Sequence, residues 1–188
     1  MSTELKDLKI AFLVSNEGVE EVELTEPRKA VEDAGGEAVL VSLEAGPVQA
    51  FNHLDKSSVF AADSAVADVS AGEFDALVLP GGVANPDQLR TDPDAVQFVA
   101  DFVRTSKPIG VICHGAWTLV EADVVRGRKL ASWPSLKTDI RNAGGEWVDE
   151  EVVIDDGLIS SRNPDDLPAF NAAIVQQFAA ARSNGVIS

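Results

Sequence analysis

The chain has 188 residues, a length that suits one domain built around one sizeable core. It carries 31 acidic against 15 basic residues, for a formal net charge of −16, with 45% hydrophobic residues. A surface of that sign repels phosphate backbones and anionic lipid, so nucleic-acid and membrane-surface partners are disfavoured. One cysteine allows neither an internal disulfide nor a thiolate metal cage, and two distant histidines give no zinc site.

The first residues, Met-Ser-Thr-Glu-Leu-Lys-Asp-Leu-Lys, lack the apolar core of a secretory signal, and no apolar run approaches the ~20 residues of a membrane helix. The expected address is the cytoplasm. Lys9–Ser15 and Glu37–Leu43 read as strands around a helix over Glu21–Ala34, with Gly35-Gly36 as its stop and Pro27 as a kink or a late start. Val48–Ala67 is less regular, a hairpin or a pair of edge strands. Phe74–Leu79 is an apolar strand closed by Pro80-Gly81-Gly82, and Pro93–Ser106 is a helix with Val96, Val99, Phe102 and Val103 on one face. Lys107–Ile112 leads into Cys113-His114-Gly115 and a further helix. After these come a strand at Lys129–Ser132, a helix near Ser135–Ala143, strands near Glu151–Ile154 and Leu158–Ser161, and a final helix from Pro164.

Apolar strands alternating with amphipathic helices predict an α/β sandwich over residues 1–188, with a mostly parallel sheet of flavodoxin-like type covered on both faces. Ligands of such sheets bind beyond the carboxyl ends of the strands, so the turns after Ser15, Leu79 and Ile112 are expected to converge. Cys113 stands at a strand-to-helix elbow. Such an elbow exposes its central side chain, aims backbone N–H groups at it and favours thiolate, so the thiol is expected well below the ~8.5 of free cysteine. A buried structural cysteine is the plain alternative.

Within Asn16-Glu-Gly-Val-Glu-Glu-Val-Glu-Leu24, one glutamate can be carried inward if Val22 and Leu24 face the core. A buried carboxyl there would keep its proton and donate to a thiolate. The pattern offers Glu20 as one of three candidate glutamates and fits a simple acidic helix start as well. Gly81, Gly82 and the amide of His114 could form an oxyanion hole, or the glycines could mark only a tight turn. His114, adjacent to its nucleophile, needs an orienting carboxylate that the local sequence does not supply. His53 is a solvated loop residue or a pocket-lining one, with the first favoured, and no phosphate-binding signature is present, so no cofactor is expected.

Several segments resemble the PfpI family, the intracellular cysteine peptidase/amidase-like and general-stress-protein group of the class I glutamine-amidotransferase-like superfamily. They are Leu79-Pro-Gly-Gly-Val-Ala-Asn-Pro-Asp-Gln-Leu-Arg90, Val111-Ile-Cys-His-Gly115, Ser132-Trp-Pro-Ser-Leu-Lys137, Asn142-Ala-Gly-Gly-Glu-Trp-Val-Asp149 and Ser161-Arg-Asn-Pro-Asp-Asp166. The resemblance runs from about residue 8 to 178, with the stress-protein branch nearer than the archaeal protease branch. It implies Cys113 as nucleophile, His114 as its partner, Glu20 as the carboxylic acid touching the cysteine, and Asp87 as the acid that reaches His114 from a neighbouring subunit of a homodimer. Ala116 departs from the proline common after Cys-His-Gly, and the elbow is expected to survive it.

The implied function is a cytosolic stress enzyme acting through the Cys113 thiolate on small carbonyls, glycation adducts or peptides. Small electrophiles are favoured because a pocket of small residues at a sheet edge suits them better than an extended chain. A different class of function, a redox sensor or interaction protein using oxidation of the same thiol, remains as the alternative.

Overall fold

The computed structural model describes residues 3–187. Its elements are β1 (Lys9–Leu13), β2 (Glu17–Glu20), α1 (Glu21–Asp33), β3 (Glu37–Ser42), β4 (Pro47–Asn52), β5 (Asp55–Ala61), β6 (Ser64–Ala65) and β7 (Ala76–Leu79). There follow α2 (Ala84–Leu89), α3 (Pro93–Arg104), β8 (Ile109–Ile112), α4 (Ala116–Glu121) and β9 (Lys129–Leu130). The chain closes with α5 (Lys137–Asn142), β10 (Glu146–Trp147), β11 (Val153–Asp155), β12 (Leu158–Ser161) and α6 (Leu167–Ser183).

Seven strands form the main sheet in the order β11-β12-β8-β7-β1-β3-β6, parallel throughout except for the antiparallel edge pair β11–β12. The run β3-β1-β7-β8-β12 is the flavodoxin-like strand order, in which the direction of strand addition across the sheet reverses between β1 and β7. That crevice is where such sheets bind ligands, and here the turns after β1, β7 and β8 meet in it.

Because β1, β7 and β8 are covered on both faces, they read as apolar runs rather than alternating ones. One face packs Leu77, Val111 and Leu119 with Phe74, Phe98 and Phe102; the other packs Ile10, Phe12 and Val78 with Phe170, Ile174 and Phe178. Gly110 lies under α6, where a Cβ would meet Ile174 at 2.8 Å, so a larger residue would push the helix off the sheet.

The expected strands and helices are present with shorter ends. Helix α1 starts at Glu21 and continues through Pro27, so the proline neither begins nor interrupts it. The strand β2 is absent from the sequence reading, because Glu17-Gly-Val-Glu20 has neither apolar run nor alternation. It pairs with β4, and β4 with β5, in a separate three-stranded sheet whose hairpin tip, at His53 and Leu54, overhangs the crevice.

Candidate active site

Strand β8 ends at Ile112, and the next residue, Cys113, holds a left-handed backbone with φ +61° before a single 3-10 turn leads into α4. A non-glycine residue pays steric strain there, and such strain collects at functional sites. The surrounding glycines make the turn possible. A Cβ on Gly115 would meet the carbonyl oxygens of Leu79 and Pro80, the latter at 2.9 Å. A Cβ on Gly81 would lie 2.7 Å from the Cys113 Cβ and collide with the Glu23 carboxyl. Ala116 begins α4 fully buried, and the elbow is intact without a proline.

The carboxyl beside the thiol is Glu23. It is 0% exposed, its Oε2 accepts from the Gly81 N–H at 2.8 Å, and its Oε1 has no nitrogen or oxygen partner. Burial pushes its pKa up to about 8, with the hydrogen bond to Cys113 opposing and the charge of Glu20 adding to the rise. At neutral pH it is a carboxylic acid facing a sulfur.

Glu20, expected in that place, stands elsewhere. It is the last residue of β2 and the residue before α1, with extended backbone (φ −67°, ψ 120°), and its Oε2 accepts from the His53 N–H at 3.0 Å. One helical turn separates the two glutamates and decides the matter. The buried stripe of α1 is Glu23, Leu24, Pro27 and Val31, and Glu23, Pro27 and Val31 lie four apart on one face. Val22 is exposed rather than core-facing. Extending the apolar stripe backwards from Val31 would have selected Glu23 from sequence. Glu21 turns outward to Ser58 on β5, whose backbone N–H and hydroxyl both donate to it.

The His114 Nδ1 lies 3.2 Å from the Cys113 Sγ. Its ring stacks on Trp133 with centroids 5.5 Å apart and meets Trp117 edge-on at 5.3 Å. Burial between two indoles pushes the His114 pKa down to about 4, so the imidazole is neutral and can accept a proton. The Cys113 thiol is 5% exposed, and burial pushes it up, contrary to the low pKa expected from an elbow. The neighbouring Glu23 also raises it; the N–H groups of His114 and Gly82 pull the other way. The sequence reading credited the helix dipole, but α4 has 6 residues and no cation adjoins the sulfur, so burial wins.

The oxyanion donors need a matching correction. The Gly81 N–H is held by Glu23, and the Gly82 N–H is shared between Glu23 and the sulfur, so the His114 amide is directed at the sulfur alone. Asn85, missed as a site residue because a buried asparagine leaves no periodic signal, ties two of the turns together. Its Oδ1 accepts from the Ser15 N–H at 2.7 Å, and its Nδ2 donates to the carbonyls of Pro80 and Gly81 at 3.0 Å.

These groups enclose a cavity of about 150 Å³ whose wall includes Cys113, His114, Glu20, Glu23, Trp133 and Pro164. His53 is exposed, as expected, yet it also lines this cavity. The Trp133 N–H donates to the Cys113 carbonyl at 3.1 Å, so the loop carrying the indole is fixed to the elbow. Arg162 fixes Pro164: it binds the buried Asp166 through Nε and Nη2 and Asp149 through Nη1. Asp87 is exposed on α2 and lies in an adjoining groove with Val83, Leu54 and Trp117, and no hydrogen bond joins it to His114 within the described subunit. Among the described residues, no group of three or more histidine, cysteine, aspartate or glutamate side chains is placed to hold a metal.

Comparison with known proteins decides the kinship. A family profile described as the DJ-1/PfpI family matches residues 8–177. The chain belongs to the DJ-1/PfpI family. It is 42% identical to the putative cysteine protease YraA of Bacillus subtilis, over 87% of this chain and 94% of that one. It is 44% identical to protein/nucleic acid deglycase 2 of Escherichia coli, over 87% and 93%. Among solved DJ-1/PfpI structures it resembles a two-domain protein of Anabaena variabilis containing dj-1/thij/pfpi-like and ferritin-like domains. That match has a TM-score of 0.84 at 32% identity, over 91% of this chain and 48% of the other. The names within the family include both a protease and a deglycase, so kinship alone does not select the reaction.

Proposed function

We propose that this protein is a Cys113-dependent enzyme of stress defence that acts on small reactive carbonyls or the adducts they form. The supporting observation is the cavity: about 150 Å³, with a strained thiol at its floor, a neutral histidine 3.2 Å away and a buried carboxyl alongside. A space of that size matches a benzene-sized molecule. Deglycase names among the relatives favour the same side of the choice.

In the proposed first step, the Cys113 Sγ adds to the carbonyl carbon and its proton passes to the His114 Nδ1. The new oxyanion accepts from the amides of Gly82 and His114 and from the Glu23 carboxyl proton. Proton transfer within the encounter suits a buried thiol that burial keeps protonated at rest. For methylglyoxal the net change is addition of water to give lactate, an internal redox reaction that needs no external oxidant or cofactor. Incubation with methylglyoxal, with lactate followed enzymatically, tests the reading. Turnover lost in Cys113→Ser supports it, and absence of turnover in the wild type overturns it.

We further propose a homodimer in which Asp87 of one subunit orients His114 of the other. Asp87 is exposed in a groove continuous with the cavity through His53, Leu54 and Val83, and Leu54 and Val83 are exposed apolar groups in want of cover. Chains carrying Cys113→Ser mixed with chains carrying Asp87→Ala should regain part of the activity each lacks. A fully active monomer in sedimentation would refute the shared site. A free nucleophilic thiol suits a reducing compartment, and we assign the protein to the cytoplasm.

A further inference from the structure

Glu20 is buried to 7% exposure at the cavity wall, and the chemistry above does not use it. Its Oε2 accepts from the His53 N–H, which fixes the carboxyl in place. Its charge is felt at the reacting groups, since it helps to raise Glu23. No lysine or arginine lines the cavity. The nearby cations are committed elsewhere: Lys56 to Glu17 at 3.0 Å, and Arg90 to Glu121 at 3.1 Å. The other prominent wall is the Trp133 indole, partly exposed and aromatic. The buried Glu23 carboxyl, whose Oε1 has no nitrogen or oxygen partner, also lines this space.

We infer that Glu20 and Trp133 form a charge-selecting subsite through which the cavity admits ligands carrying a positive nitrogen beside the reactive centre and rejects those carrying a carboxylate or sulfonate. Within the function proposed above, the preferred substrates are carbonyl adducts borne on an ammonium- or guanidinium-bearing compound, and oxo-acids are poor ones. A carboxylate in a recessed, weakly screened site attracts a cation and repels an anion more strongly than an exposed one does. An indole face adds cation–π attraction, which disfavours anions further.

Thiol-directed reagents test this without turnover, so the carbonyl reading can fail while the subsite stands, or the reverse. Second-order rates of Cys113 modification are measured with three methanethiosulfonates, bearing an ethylammonium, a methyl and an ethylsulfonate group, each normalised to its rate with a free thiol. The ammonium reagent is expected to exceed the sulfonate by about 100-fold in the wild type, on the order of two tenfold steps for opposite charges at one carboxylate. Glu20→Gln, which keeps an oxygen for the His53 N–H, should bring that ratio to within about threefold of unity, the part left to the indole, and leave the methyl reagent within about twofold. Trp133→Leu should lower the ammonium rate about threefold, as expected for loss of a partly exposed cation–π contact. Glu37→Gln, on an exposed residue at the far end of β3, controls for the overall negative charge and should leave the ratio unchanged. Equal normalised rates for the charged reagents in the wild type would overturn the inference, and that outcome needs no variant to fold. So would a ratio shifted as much by Glu37→Gln as by Glu20→Gln.

Discussion

The two ends of the central sheet treat their polar groups in opposite ways. At the amino end of β8, a cavity of about 70 Å³ is walled by Lys107, Arg128 and Asp156. Its cations are engaged by backbone: Lys107 donates to the carbonyls of Gly72 and Phe74, and Arg128 donates through Nη1 to those of Asp155 and Asp156. At the carboxyl end, the Glu23 Oε1 has no nitrogen or oxygen partner and Cys113 is held at a positive φ. One end satisfies its cations with backbone carbonyls; the other keeps a buried carboxyl oxygen without a nitrogen or oxygen partner. Buried polar groups are normally satisfied, so groups left unsatisfied mark where a ligand completes the bonding.

This contrast can be broken most directly at the sulfur. Cys113→Ser should abolish turnover, by at least about 10³-fold, while leaving the thermal midpoint within a few degrees. Next comes the backbone. Gly115→Ala would drive a Cβ into the carbonyls of Leu79 and Pro80, whereas Gly127, in the turn before β9, has open space and only its φ of +74° to resist substitution. In urea titrations we expect Gly115→Ala to lose about 3 kcal/mol or more and Gly127→Ala about 1 kcal/mol. Similar losses would mean that the thiol end is no more tightly constrained than an ordinary turn.

The pH dependence of stability sharpens the comparison further. Glu23 is raised in the folded state from 4.5 to about 8, so its contribution is intact below about pH 4.5 and is lost as pH climbs through 8. His114 is lowered from 6.5 to about 4, so its contribution is intact above pH 6.5 and is lost as pH falls through 4. Between pH 4.5 and 6.5 the two slopes oppose each other; between 6.5 and 8 Glu23 acts alone. Wild-type urea midpoints should therefore decline from pH 6.5 to 8, and Glu23→Gln should flatten that decline. The same variant removes a carboxylate beside the sulfur, so the pH midpoint of iodoacetamide alkylation should move down. A wild-type midpoint at or below neutrality would contradict the burial argument.

The smallest effect belongs at the closed end. Lys107→Met should cost stability on the order of 1–2 kcal/mol by leaving the Phe74 carbonyl without its donor, yet alter turnover less than about twofold. A large kinetic effect would show that the two ends communicate.

The sheet order, the elbow and the adjacency of Cys113 and His114 are legible in the chain because each rests on a local signal: apolar strands, glycines at tight turns and alternating element types. Glu23 was obscured by a choice among three acidic neighbours, which the i, i+4 stripe of α1 through Pro27 and Val31 resolves. Asn85 and Trp133 act across gaps of 70 and 20 positions, on Ser15 and Cys113 respectively, and no periodicity reports such contacts. The thiol's elevated pKa follows from enclosure, a property of the folded surroundings rather than of neighbouring letters.

The two indoles against His114, one stacked and one edge-on, and the enclosure of Glu23 have a consequence for how this protein tolerates its solvent. At neutral pH the imidazole, the carboxyl and the thiol are all in their uncharged forms, inside a molecule of net charge −16. A reaction on an uncharged substrate then begins without a charge for mobile ions to screen, and its rate should be nearly independent of ionic strength. Acidic residues can accumulate or disappear over the exterior without retuning the chemistry within.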